Sequence, residues 1–316
     1  MRWCTFNYCA NPRNACRIFL QAMTTISMCP LHFKRARLSI AAALPLIATL
    51  TVCAAMTACT TVSGTGRKQF NVYSPSQENA MGAQAYQAEM KDAKVISSGP
   101  VFDRVQKVGA RIATAAKQRH PEIANTMVWK WTVIDDPKMV NAWMLPGGYG
   151  AVYTGLVNFV QSDDELAIVM GHEAAHAIAR HGGERMTQGA AAQLGATAAG
   201  VATDSEAIAQ GAAMGLQAGI LLPYSRKQES EADELGLFIA AQAGYDPRSA
   251  ISLWRRMQSQ GGAKIEFLST HPSEGTRIEL LQQQMPQAYA IYKRTRVDGT
   301  ATDAKDFANT KPPASK

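Results

Sequence analysis

The stretch Leu166-Ala167-Ile168-Val169-Met170-Gly171-His172-Glu173-Ala174-Ala175-His176-Ala177-Ile178 decides the reading of this chain. It is apolar nearly all round, so a helix here is buried. Two imidazoles and a carboxylate inside such a helix are costly unless something satisfies them. His172 and His176 stand four residues apart and share one face, where both can grip one metal ion. Glu173 lies about 100° round the helix, near enough to reach a water on that ion without being forced to ligate it. With 6 His and 25 Asp+Glu in 316 residues, the pattern is expected by chance about 0.009 times per chain. The ends are also marked. Ser162 and Glu165 form a Ser-x-x-Glu capping box, with Asp163 and Asp164 at the positive end of the dipole. Arg180 and His181 are expected in the last turn, and Gly182-Gly183 as the stop.

A third protein ligand is needed, and 53 residues after His176 comes Glu229-Ser230-Glu231-Ala232-Asp233-Glu234. Glu229 is preferred over Glu231 and Glu234. Glu229 and Asp233 share a helical face, so Asp233 can accept an N–H from a ligating imidazole. Three protein ligands leave a position for water, the layout of one catalytic zinc ion rather than a structural one. Glu173 is then the general base. His181, five residues beyond His176, is expected to point off the face. The longer pattern His-Glu-x-x-His-x-x-Gly-x-x-His fails at Ala179 and Gly182, which excludes the metzincins.

All six cysteines (Cys4, Cys9, Cys16, Cys29, Cys53, Cys59) precede residue 60, so no disulfide can form within the rest of the chain. Lys34, Arg35 and Arg37 before the apolar stretch Leu38–Val52 read as a secretion signal covering residues 1–58, with residues 1–22 an extension upstream of the true start. Met56-Thr57-Ala58-Cys59 reads as a lipobox, with Cys59 the lipidated residue. That reading implies a lipid anchor on the periplasmic face of a bacterial outer membrane. The formal charge of +7 comes mostly from residues 1–58, which hold six basic residues and no acid; the remainder is nearly neutral, and no nucleic-acid footprint survives.

Beyond the leader, residues 59–73 read as a lipidated tether, 74–296 as the catalytic domain and 297–316 as a polar, disordered tail. Ser74-Pro75-Ser76-Gln77 opens a helix to about Met90. Val101, Val105, Val108 and Ile112 predict an amphipathic helix to about Lys117. Met127–Ile134 alternates as a strand. The second half of Asn141–Thr154 predicts a strand just before the His172 helix, whose edge could align an extended peptide. Residues 186–222, rich in Ala and Gly, are expected as tightly packed helices or a lid rather than a membrane hairpin.

Taken together, Gly66-Arg67-Lys68-Gln69, Asn141–Gly155, His172-Glu173-x-x-His176, Ser225-Arg226 with Glu229-x-x-Ala232-Asp233, and Ser269-Thr270-His271-Pro272 with Arg277 resemble the zinc metallopeptidases of the CAAX prenyl endopeptidase and HtpX-like family. Within it, the chain is most similar to the periplasmic lipoprotein branch typified by LoiP and BepA. The resemblance implies an α+β, mostly helical zincin of the gluzincin type with a small sheet. It implies zinc on His172, His176 and Glu229, with Glu173 as base and Asp233 behind a ligand. From the resemblance alone, His271 stands near the metal, donating to an oxyanion or covering the ion at rest, and Arg277 supports it; the bare sequence reads His271 as a loop histidine. The implied activity is endopeptidase cleavage of misfolded or unassembled envelope proteins. The rival is a chaperone or assembly factor, partnered with outer-membrane assembly machinery, whose zinc site is secondary or silent.

Overall fold

The computed structural model describes residues 59–203, 225–260, 265–271 and 275–296. In chain order they form β1 (Cys59–Thr61), β2 (Lys68–Phe70), α1 (Pro75–Met90), β3 (Val95–Ile96), α2 (Pro100–Arg119), α3 (Pro121–Ala124), β4 (Lys130–Ile134), β5 (Ala142–Leu145), β6 (Tyr149–Tyr153) and α4 (Thr154–Phe159). Next come α5 (Asp163–Ile178), α6 (His181–Thr203), α7 (Arg226–Gln242), α8 (Ser249–Ser259), α9 (Glu266–Thr270) and α10 (Gly275–Thr295). The fold is α+β, mostly helical with small sheets. The expected signal segment, the tail and the second part of the Ala/Gly-rich stretch lie outside the described residues. Among those described, no helix is long and apolar enough to cross a membrane.

Local signals place the helices. Ser74 caps α1 in a full capping box with Gln77, and Pro75 occupies the first turn, where its missing N–H costs nothing. On α2 the stripe Val105, Val108, Ile112 is fully buried. The centre of the core is α5, every residue of which from Glu165 to Ile178 is buried. It crosses α7 at a point where only glycine fits: a Cβ on Gly236 would lie 2.7 Å from the His172 nitrogen, and one on Gly171 2.8 Å from the Gly236 carbonyl. That close crossing brings the acids of α7 against the histidines of α5.

The cap of α5 differs from the expected box. Ser162 accepts from the Glu165 N–H, but the Glu165 carboxylate turns back to the Gln161 N–H and pairs with Arg256. The C-terminus differs more. Gly182-Gly183 do not stop the helix; Ala179 caps it and Arg180, at φ 59°, reverses the chain before α6 begins at His181. An arginine in the left-handed region is strained. It is held there because its guanidinium donates to Glu78, at 2.8 Å, and to the Tyr73 carbonyl. Gly183 serves close approach instead, since a Cβ there would run into the Glu78 carboxylate.

The larger sheet has the order β3-β4-β6-β5, with β4–β6 parallel and the other pairs antiparallel. This corrects the expected edge. The second half of Asn141–Thr154 is β6, which lies between two strands, and the first half, β5, forms the edge. Gly147 and Gly148, at φ 84° and 80°, supply the tight reversal that folds β5 back along β6. The short α4 then separates β6 from α5, where none was expected.

Residues 59–70 are not a loose tether. They form a hairpin pairing Cys59 with Phe70 and Thr61 with Lys68. Val62 is buried against Ala175, Ala179, Ala232 and Leu235, and Arg67 ion-pairs with Glu184 and Glu231. Three-residue strands joined by a turn of Ser, Gly and Thr carry little periodic signal, which hid the hairpin from the sequence.

Candidate active site

α5 projects His172 and His176 toward α7, and α7 projects Glu229 toward both. The carboxylate lies 3.5 Å from His172 Nε2 and 3.4 Å from His176 Nε2, and the two Nε2 atoms are 3.1 Å apart. His271, at the C-terminal cap of α9, brings its Nδ1 to 3.0 Å from Glu229 and 3.3 Å from His172 Nε2. One donor atom from each of these four buried side chains lies within 4.8 Å of the others, a group that could hold a metal ion. A fourth protein donor was not visible in the motif itself. The His271 ring stacks on Phe267 at 4.5 Å, which orients it.

The electrostatics fit a cation. Burial alone would push the His172 imidazole down, but the hydrogen bonds and charges of Asp233 and Glu229 outweigh it and carry it up to about 9. Burial would raise Glu229, yet hydrogen bonds from His172, His176 and His271 hold it far below the usual carboxylate range. His176 is driven well below its ordinary value by burial. Ring nitrogens crowded at 3.1 Å, with an ionised carboxylate beside them, form a centre that favours positive charge. Two imidazoles, a carboxylate and a further imidazole also match the ligand chemistry of zinc.

Glu173 is buried beside this group, with Oε1 3.4 Å from His271 Nε2. Burial raises its proton affinity against the pull of His271 and His172, and the backbone of Met144 on β5 bonds it. Glu173 thus sits beside the sheet edge, and α5 packs directly on β5.

The remaining expected residues are also placed. Asp233 lies 3.0 Å from His172 Nδ1. Arg277 holds Asp233 through two bonds of 2.6 and 2.7 Å, reaches Glu229 at 2.9 Å and donates to the His271 carbonyl. Cys59 is exposed at the start of β1, remote in sequence from the metal-ligand group. Of the acids set aside as ligands, Glu231 turns to the other side of α7, toward His181 and Arg67. His181, expected to point away, returns beneath His176 with Nδ1 atoms 2.9 Å apart, because Arg180 reverses the backbone.

The family model for peptidase family M48 matches residues 101–285. The mitochondrial metalloendopeptidase OMA1 of Schizosaccharomyces pombe is 35% identical over 230 residues, covering 71% of this chain and 66% of that protein. Mitochondrial metalloendopeptidases OMA1 from other organisms match at 30–38% identity. The metalloprotease YcaL of Escherichia coli is 28% identical, covering 61% of this chain and 76% of that one. A putative beta-barrel assembly-enhancing protease of Vibrio cholerae is 28% identical, covering 61% of this chain and 41% of that protein. The chain spans 34–66% of the length of the mitochondrial relatives. These matches correct the location. The relatives at 30–38% identity are mitochondrial, which overturns the expected periplasmic face of a bacterial outer membrane. They also leave the LoiP and BepA branch undistinguished, since the bacterial matches are the weaker ones.

Proposed function

The chain belongs to peptidase family M48, and on that premise we propose that it is a zinc metalloendopeptidase that cleaves internal bonds of polypeptides. The observation that carries this reading is the convergence of His172, His176, Glu229 and His271 donor atoms within 4.8 Å, with buried Glu173 alongside. His172, His176 and Glu229 would hold the ion. Bound there, zinc supplies Lewis acidity, which acidifies water and polarises a carbonyl.

The chain's own groups supply the rest. The β5 edge aligns an extended peptide by main-chain hydrogen bonds. Glu173, its proton affinity raised by burial, takes a proton from water and hands it to the departing amine. Asp233, clamped by Arg277, keeps the His172 Nε2 lone pair facing the ion. His271 donates to the developing oxyanion once it leaves Glu229. The biological role that fits is quality control of misfolded or unassembled membrane-associated proteins.

Purified full chain tests this with Glu173→Gln. One zinc per chain should remain while cleavage of an unfolded protein falls about 10²–10⁴-fold. Cleavage that survives, or a parent chain without zinc, defeats the reading. A second reading, an assembly factor with the centre at rest, draws on His271 standing at the fourth position, 3.0 Å from Glu229, and on the relative named for beta-barrel assembly. Full rescue of a deletion strain by Glu173→Gln would favour it.

A further inference from the structure

His181 takes no part in the chemistry above, yet it is 0% exposed and both ring nitrogens face partners. Glu231 accepts from Arg67 Nε at 2.6 Å and from the Thr65 hydroxyl. His181 Nε2, 2.9 Å from the same carboxylate, therefore carries the N–H. In the neutral ring that leaves a lone pair on Nδ1, which faces His176 Nδ1 at 2.9 Å. Two nitrogens at that distance need one hydrogen between them, and His176 must supply it. The His176 hydrogen is thus fixed on Nδ1, and its Nε2 turns a lone pair toward Glu229 and His172.

We infer that His181 and Glu231, anchored by Arg67, are positioning residues that set the tautomer and ring orientation of His176 for metal binding. Asp233 does this directly for His172; on the other side the acid is one ring too far away, and His181 bridges the gap. Arg67 is itself steadied by Glu184, at 2.8 Å, which also accepts from Gln228. The hairpin residues 59–70 thereby reach the metal centre through a chain of four side chains: Arg67, Glu231, His181 and His176.

The inference rests on the zinc reading, so the measurement is metal affinity rather than cleavage. Zinc dissociation from the full chain is followed by chelator competition, and the visible spectrum is recorded with cobalt in place of zinc. His181→Phe fills the space but cannot relay; it should weaken zinc about 10–100-fold and shift the cobalt bands. His181→Gln offers an N–H to Glu231 and a carbonyl to His176, and should recover most of that loss. Glu231→Gln provides a separate test if the Phe variant fails to fold, with affinity falling about tenfold. Zinc binding by His181→Phe equal to the parent's, or equal losses in the Phe and Gln variants, would overturn the relay. So would unchanged affinity in Glu231→Gln. A parent that binds no zinc sinks the peptidase reading as well, whereas a zinc-binding parent matched by His181→Phe sinks the relay alone.

Discussion

Asp233 and Glu231 stand two residues apart on α7 and face opposite ways, yet each joins a histidine of α5 to an arginine. Asp233 touches His172 Nδ1 at 3.0 Å and is held by Arg277, which is 4% exposed. Glu231 reaches its histidine only through His181, and its arginine, Arg67, is 12% exposed and shared with Glu184. Arg277 lies within the segment that matches the family model; Arg67 lies before it. The difference teaches that one task, fixing a buried histidine ring, is met by contact where the acid is near and by an inserted imidazole where it is not.

The largest expected effect breaks the comparison at its buried end. In the metal-free chain, Asp233→Ala strips two hydrogen bonds from the Arg277 guanidinium, which keeps Glu229 but is 4% exposed with little access to water, and should cost about 3–5 kcal/mol of stability in urea unfolding. Glu231→Ala should cost less, about 1–3 kcal/mol, because Arg67 is nearer to solvent and is bonded by Glu184 through two nitrogens. Equal losses would mean that the two arginines are buried to the same effect.

A smaller effect concerns pH. Burial would raise Glu231, but the hydrogen bonds from His181, Thr65 and Arg67 carry it down from the ordinary 4.5 to about 2. A depressed carboxylate stabilises the fold above its unfolded value and loses that contribution as pH falls through the folded one. Metal-free stability should therefore decline between about pH 4.5 and 2, and Glu231→Gln should flatten that decline. The smallest effect sets the baseline: Lys94, paired with Asp135 but 80% exposed, should give no resolvable change in the urea midpoint as Lys94→Ala.

What the sequence made legible follows from periodicity. His172, Glu173 and His176 declare themselves because helical spacing fixes their relative directions, and Glu229 with Asp233 for the same reason. The helix boundary at Ser74 was readable from a side chain that caps its own backbone. His181 was not, because its position depends on Arg180 adopting φ 59°, which Glu78 enforces from 102 residues away. Likewise β5 and β6 exchanged roles because alternation identifies a strand but not its neighbours; pairing is decided by β4, which runs parallel to β6. The hairpin escaped notice since its strands are three residues long.

The reversal at Arg180 has a practical consequence for anyone trimming this molecule. The segment that matches the family model begins at residue 101, so an excised catalytic fragment cut there would discard Glu78 and Arg67 together. It would keep a strained turn stripped of its clasp and a Glu231 that still meets His181 but has lost its arginine. Such a fragment could carry every ligand and still be a poor vessel for its metal.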